Sequence, residues 1–197
     1  MLGTDVGARL AGQVRAALGL AAEARLPAGL RLYGGADLHL TLFFLGAVTE
    51  ERRAALEPAL AGAIRGLRAP ALELRAAGAF PDARRPRVLW VGAREHAPER
   101  LAAIVEAVRR ACVAQGFEAD PRPFAAHVTV GRMRGDRERG RGPGRGRRTA
   151  SEGGLGPGFF ALDPQLAWQP EEVALVESRG GAEGDAYQPL CRWPLSS

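Results

Sequence analysis

His39-Leu40-Thr41-Leu42 is the stretch that decides the fold of this chain, because the same pattern returns as His127-Val128-Thr129-Val130. The copies lie 88 residues apart (127 − 39) and use two of the three histidines and two of the five threonines in the 197-residue sequence. Because both residue types are scarce here, we interpret the two copies as a repeated motif.

Each copy lies in an apolar run, 38–45 and 125–130, whose pattern predicts a β-strand. Side chains alternate between the two faces of a strand, which places His39 and Thr41 on one face together with Phe43. The other face of this strand is expected to pack under helices; its residues are Leu38, Leu40, Leu42 and Phe44. In the second copy the same alternation groups His127 and Thr129 with Gly131.

A histidine and a threonine on one face suggest chemistry at a phosphate. An imidazole can relay a proton near neutral pH, and a hydroxyl can donate a hydrogen bond to an oxyanion. Two such pairs facing each other would suit in-line displacement at phosphorus, with one histidine as base and the other as acid. A single His-x-Thr pair is more often a cross-strand polar contact, whereas two copies favour a catalytic site.

Composition limits the class of protein only loosely. The net charge of +5 fits an anionic partner, but all 27 basic residues are arginine and the chain has no lysine, so a compositional bias accounts for part of this signal. Two cysteines are too few for a disulfide framework, and Cys112 falls in a helical pattern as a small core residue. No apolar run reaches 18 residues, which predicts no membrane span, and we expect a cytoplasmic monomer.

The order of predicted elements indicates two similar lobes. Helices are expected over 6–20, from the N-cap Thr49 to about Leu67, and over 98–115. Strands are expected over 72–80, 88–91, 173–177 and 187–193, besides the two motif strands. This approximate repetition favours one two-lobed domain over residues 1–197 with a pseudo-twofold axis. The third histidine, His96, is expected at the surface without a role.

Residues 134–158 interrupt this pattern with a segment rich in arginine and glycine. Such a composition cannot bury much apolar surface, which predicts a flexible loop. The loop could contact RNA, or it could be an insertion that follows the general arginine bias.

Beyond the motifs, several stretches resemble the two-histidine phosphoesterase superfamily, and within it the RNA 2′,3′-cyclic phosphodiesterases, also called bacterial 2′-5′ RNA ligases. The resemblance covers most of the chain. The matching stretches are His39–Gly46, Gly78–Pro81, Arg84–Gly92, Pro123–Arg132 and Tyr187–Leu190. It implies a bilobal α+β fold, in which the antiparallel sheets of two pseudo-twofold-related lobes line a central cleft and the helices lie outside.

The resemblance also implies roles for individual residues. His39 is expected to donate a proton to the leaving ribose oxygen, and His127 to accept one from water. Thr41 and Thr129 are expected to hold the phosphate oxygens. Arg132 could stabilise the charge of the transition state, or it could be a plain solvated arginine. Phe43 could stack on a base, although a core role is the more ordinary one for it. No metal or other cofactor is expected, since each proton transfer and each charge has a residue assigned to it.

Two departures from the family pattern stand out. The family usually opens with a full apolar strand, whereas this chain begins at Met1-Leu2-Gly3-Thr4-Asp5-Val6, as if inside that strand. The segment after Arg132 is also longer than the usual link.

The sequence leaves the activity open between several alternatives. The expected partner is RNA or a nucleotide with a 2′,3′-cyclic phosphate, which would be hydrolysed to a 2′-phosphate. The same residues could serve 2′-5′ RNA ligation by the reverse chemistry. A non-catalytic RNA-binding protein that uses the Arg/Gly loop is the alternative from another class. A zinc hydrolase is weaker, since only two histidines are well placed.

Overall fold

The computed structural model describes residues 1–21, 25–26, 29–96, 99–133, 155, 157–179 and 187–197. Seven strands and four helices follow one another along these ranges, with a 3₁₀ turn at Gly35–Asp37. In chain order they are α1 (Thr4–Ala17), β1 (Leu30–Leu32), α2 (Glu50–Ile64), β2 (Leu72–Phe80), β3 (Val88–Glu95), α3 (Arg100–Ala114), β4 (His127–Met133), α4 (Pro157–Phe160), β5 (Leu166–Trp168), β6 (Glu172–Ser178) and β7 (Tyr187–Pro194).

The first lobe is built on a five-stranded antiparallel sheet in the order β1-β4-β3-β2-β5. One face of this sheet packs with α1 and α4 around the first core. The fully buried residues of this core include Leu10, Val91, Val128 and Phe159. The opposite face, here called the cleft face, carries the second motif. The sheet therefore separates a buried apolar side from a side that is open to a ligand.

The second lobe joins α2 and α3 to the antiparallel pair β6–β7. Leu56 and Ile64 of α2 pack with Ile104 and Val108 of α3 in a second core cluster. The predicted N-cap is confirmed, since the Thr49 hydroxyl accepts a hydrogen bond from the Arg52 N–H at 3.4 Å. Among the described residues the two lobes are unequal, because one sheet has five strands and the other has two.

The prediction of a strand over 38–45 is wrong. Only Leu40 forms a bridge, to Val128, and Leu38 accepts one main-chain hydrogen bond, from the Leu2 N–H at 2.8 Å. A strand needs a continuous ladder with a neighbour. The edge of β4 is already occupied by β1 at residues 131–133, so the first motif meets that edge only at Val128.

The remaining strand and helix predictions are confirmed to within a few residues, and β1, α4 and β5 are additions to them. Cys112 is buried in the second core as expected, and burial raises the pKa of its thiol to about 11. Most of the predicted Arg/Gly loop, residues 134–154 and 156, lies outside the described residues. Its predicted end at 158 is too late, because α4 already begins at Pro157. Within the described ranges, no helix combines the length and the apolar character that a membrane span requires.

Candidate active site

The second motif forms the start of β4, which lies between β1 and β3 in the five-stranded sheet, and alternation works as predicted for its four residues. Val128 and Val130 are buried in the first core, at 0% and 2% exposure, so His127 and Thr129 point to the cleft face. Thr129 lies opposite Trp90, and His127 lies opposite Gly92 on the neighbouring strand β3.

A β-bulge then changes the alternation, and it decides where Arg132 points. In a regular strand Arg132, three residues after Thr129, would face the core. Here Trp90 pairs with Thr129 while Leu89 pairs with Gly131, so one extra residue of β4 is accommodated. The prediction that Gly131 shares the face of His127 is therefore wrong: Gly131 is buried opposite Leu89, and Arg132 takes the cleft face in its place.

The first motif lies beside the second as its antiparallel neighbour. The Leu40–Val128 bridge places His39 next to Thr129, and Thr41 next to His127, in register. Leu40 packs on the first core, which leaves His39 and Thr41 on the cleft side. Each histidine thus has the threonine of the other motif as its neighbour, an arrangement with the symmetry that the repeated sequence suggested.

Beyond Thr41 the predicted alternation fails. Leu42, Phe43 and Leu45 all pack against the second core, whereas Phe44 is 83% exposed. Phe43 was expected on the face of His39 and Phe44 under helices. The chain instead crosses from one lobe to the other here without a sheet to hold its side chains in alternation.

Both histidines are held by the main chain in the same way. His39 Nδ1 lies 2.7 Å from the carbonyl oxygen of Asp37, and His127 Nδ1 lies 2.6 Å from that of Ala125, in each case two residues earlier. A carbonyl oxygen can only accept, so Nδ1 must carry the hydrogen in both rings. Nε2 is then the atom that exchanges a proton with a ligand.

Asp37 and Tyr187 complete the surroundings of His39. The Asp37 carboxylate is buried and accepts a hydrogen bond from the Tyr187 N–H at 3.3 Å. The Tyr187 ring meets the His39 ring edge-on, with the two ring centroids 4.4 Å apart. Burial lowers the pKa of His39 below its ordinary value, an effect that the hydrogen bond to the Asp37 carbonyl opposes and the positive charge of Arg132 reinforces. The neutral imidazole is therefore favoured in the free protein.

Tyr33 connects Arg132 to this group. Its hydroxyl accepts a hydrogen bond from Arg132 Nε at 3.1 Å, and its ring lies 5.9 Å from that of Tyr187. Burial, together with a hydrogen bond to Tyr33, raises the pKa of Tyr187 to about 12. The Tyr187 phenol thus stays protonated at neutral pH, and the two tyrosines link the Arg132 guanidinium to His39.

A cavity of about 810 Å³ extends from this group into the second lobe. Of the site residues proposed from the sequence, His39, Thr41, Phe43 and Arg132 line it, together with Tyr33 and Tyr187. His127 and Thr129 lie beside it on the cleft face. The His127 ring meets Phe80 edge-on, with centroids 5.3 Å apart, and lies 6.3 Å from Trp90. Phe80 is 39% exposed, so an aromatic surface adjoins the second histidine.

The third histidine of the chain does not line this cavity. His96, the third histidine, is at the surface as predicted, and its Nε2 lies 3.8 Å from a Glu73 carboxylate oxygen. In the part of the chain that the structure describes, no three His, Cys, Asp or Glu side chains are grouped as metal ligands.

Sequence reasoning missed Tyr33, Asp37 and Tyr187 as parts of the site. Asp37 stands two residues before His39, a short spacing that could have suggested a contact. Tyr187 belongs to a stretch that matched the family, but nothing in its surroundings indicated contact with a residue 148 positions earlier (187 − 39). Tyr33 carries no sequence signal that we recognise.

Comparison with known sequences identifies related proteins. A family model described as the 2′-5′ RNA ligase superfamily matches residues 13–182. A relative from Aeropyrum pernix, named RNA 2′,3′-cyclic phosphodiesterase, is 42% identical over 101 residues, which are 51% of this chain and 56% of the relative. A relative of the same name from Geobacillus stearothermophilus is 40% identical over 97 residues, 49% of this chain and 30% of that protein. The matched region thus covers 56% of the first relative and 30% of the second.

Solved structures share the fold over nearly the whole chain. Escherichia coli LigT in complex with 3′-AMP is 25% identical, with a TM-score of 0.67 over 100% of this chain and 95% of the other. A protein of Thermus thermophilus is 24% identical, with a TM-score of 0.68 over 98% and 93% of the two chains, a likeness that concerns the fold alone. The bilobal α+β architecture expected from the sequence is therefore confirmed.

Proposed function

Because the chain belongs to the 2′-5′ RNA ligase superfamily, we propose that it hydrolyses 2′,3′-cyclic phosphate ends of RNA to 2′-phosphates. The observation that carries this proposal is the pairing of the two motifs through Leu40 and Val128, with each histidine tied at Nδ1 to the main chain. Two imidazoles with available Nε2 atoms, diagonal to each other on one face and each beside a threonine, suit in-line displacement at phosphorus.

In the proposed reaction a water oxygen attacks the phosphorus and the bond from phosphorus to the ribose 3′ oxygen breaks. His127 takes the proton of the attacking water at Nε2, and His39 gives its Nε2 proton to the leaving 3′ oxygen. Thr41 and Thr129 donate hydrogen bonds to the non-bridging oxygens. Arg132 stabilises the added negative charge, a role supported by its place on the cleft face and its contact with Tyr33. Every step has a side chain, so the mechanism requires no metal.

The pKa of His39 bears on its role as the donor. Burial favours the neutral ring in the free protein, whereas a donor must hold a second proton. An anionic phosphate beside the ring favours the protonated form. We therefore expect His39 to take up its proton together with the substrate, so that substrate binding should strengthen as the pH falls toward the ordinary histidine range.

Incubation with a 2′,3′-cyclic nucleotide in the presence of EDTA tests the proposal. The wild type should produce the 2′-phosphate, and the His39→Ala and His127→Ala variants should not. His96→Ala is the matched control, because it removes the third histidine at an exposed position and should keep full activity. No turnover by the wild type, with RNA binding intact, would overturn the enzymatic function in favour of a binding protein.

The family name gives a reason to test ligation as a second candidate. A 5′-hydroxyl of another RNA strand would take the place of water at His127 and join the ends through a 2′-5′ bond. Adding an RNA with a free 5′-hydroxyl to the same assay, and resolving the products by length, distinguishes the two reactions.

A further inference from the structure

Arg31 lies directly opposite Arg132 at the edge of the five-stranded sheet. Opposite residues of an antiparallel pair share a face, with Cβ atoms about 4.5–5.5 Å apart, and like charges in this arrangement are destabilising. The two arginines therefore stand side by side on the cleft face, at the end of β4 that lies beyond both histidine motifs.

This pair of positive charges has no carboxylate beside it among the described residues. The Arg31 guanidinium lies over the ring of Tyr33, 5.5 Å from its centroid, and Arg132 donates to the hydroxyl of the same ring. One uncharged side chain thus positions both guanidinium groups and neutralises neither. Like charges that stand side by side without an ion pair to any described carboxylate carry a cost in stability, which an external anion between them would offset.

The surroundings fit a nucleic acid strand. The same row across the sheet continues from Arg132 through Val88 to the exposed ring of Phe80. The following turn exposes Arg84 and Arg85. Basic side chains that follow a backbone, interleaved with an aromatic ring on which a base can stack, are typical of single-stranded nucleic acid binding.

We propose that Arg31 forms a second phosphate subsite beside Arg132, which binds the phosphodiester next to the terminal cyclic phosphate. This inference rests on the proposed function, because it takes Arg132 to hold the reacting phosphate. It makes the 3′ end of an RNA strand the preferred substrate class over a single cyclic nucleotide.

A comparison of two substrates tests the subsite: a mononucleoside 2′,3′-cyclic phosphate, and a short oligonucleotide that ends in the same cyclic nucleotide. In Arg31→Gln the ratio of kcat/KM for the oligonucleotide to that for the mononucleotide should fall about tenfold, as expected for one lost charge-assisted contact. The slope of log KM against log salt for the oligonucleotide should become shallower by about 0.7, the contribution of one phosphate contact to a single strand.

Two further variants serve as controls. Arg109→Gln removes an exposed arginine of α3, which pairs with Glu106 at 3.7 Å and lies on another element, so it should leave both the ratio and the slope unchanged. Arg31→Lys keeps the charge without the planar fork, so it should retain the salt slope while it loses part of the ratio. Arg31→Lys also keeps the test available if Arg31→Gln does not fold.

Equal changes on both substrates, or no change on either, would overturn the subsite. If the wild type turns over neither substrate, the proposed function fails, and the subsite is then tested by binding alone. Fluorescence anisotropy of an oligonucleotide ending in a 2′-phosphate, measured at several salt concentrations, should still show weaker binding and a shallower slope for Arg31→Gln. Identical affinity and slope for the wild type and this variant would overturn the subsite independently of catalysis.

Discussion

Replacing Gly131 with alanine should impair both stability and activity, because this glycine sits in the bulge that turns Arg132 to the cleft face. A Cβ atom at position 131 would lie 2.8 Å from the main-chain oxygen of Arg31 and 2.9 Å from Cδ2 of Leu32. Since ordinary contacts begin near 3.4 Å, the main chain of β1 would have to withdraw by about 0.6 Å (3.4 − 2.8).

The size of the effect follows from this displacement. Overpacking of a buried site costs about 1–3 kcal/mol, and a chain of this length loses about 2–4 °C in Tm for each kcal/mol. The shift also carries Tyr33, the partner of Arg132, away from β4. Misplacement by about 1 Å can cost as much as ~100-fold in rate, so we expect roughly a tenfold loss in kcat/KM for the smaller shift.

Thermal unfolding and cyclic-phosphate hydrolysis measure the two effects separately. Gly62→Ala is the matched control, because a Cβ there meets nothing within 4 Å and the residue lies inside α2. Alanine should stabilise that helix by about 0.5–1 kcal/mol and leave hydrolysis unchanged. A Gly131→Ala variant with the wild-type Tm and wild-type kcat/KM would refute the reasoning about the bulge.

Three further predictions concern the side chains around the site. Tyr33→Phe removes the hydroxyl that accepts from Arg132, so KM for a cyclic nucleotide should rise several-fold while Tm stays nearly constant; an unchanged KM would show that Arg132 needs no such support. Phe80→Ala removes the exposed ring beside His127, and because stacking on a base contributes about 1–3 kcal/mol, KM should rise at least fivefold, whereas Val113→Ala, at a 46% exposed position on α3 that does not line the cavity, should behave as wild type. Burial lowers the pKa of His39, so as the pH falls below the ordinary histidine value the unfolded chain binds a proton on this residue before the folded chain does, and the free energy of unfolding should decrease. Urea titrations at several pH values should show a smaller decrease for His39→Gln than for the wild type. An equal decrease in both proteins would contradict the effect of burial.

Periodicity in the sequence predicted the elements whose neighbours supply continuous ladders or packed faces. The second motif is an example, because it has a continuous ladder with β3 and because Val128 and Val130 are buried in the first core. The first motif has an equally strong apolar pattern but lacks a neighbour over most of its length. Its side chains are therefore placed by contacts with two separate cores. These contacts cannot be predicted from the pattern of one segment.

The site shows a similar division. Both histidines and both threonines of the candidate site could be predicted from the repeat, because the repeat lies within short segments. The orientation of Arg132 depends on one extra residue in β4 relative to β3, which only the pairing of two strands reveals. Tyr187 reaches His39 through a chain reversal late in the sequence. Contacts of this kind come from tertiary structure, and local propensity does not predict them.

The main-chain hydrogen bonds of the two imidazoles bear on how this site can change during evolution. In many enzymes a carboxylate side chain fixes the tautomer of a histidine, so one substitution can abolish it. Here the acceptors are the peptide oxygens of Asp37 and Ala125, which any residue at those positions would supply. The tautomer with hydrogen on Nδ1 is therefore inherited with the path of the backbone. The neighbouring side chains are free to vary without changing which nitrogen of either ring faces a ligand.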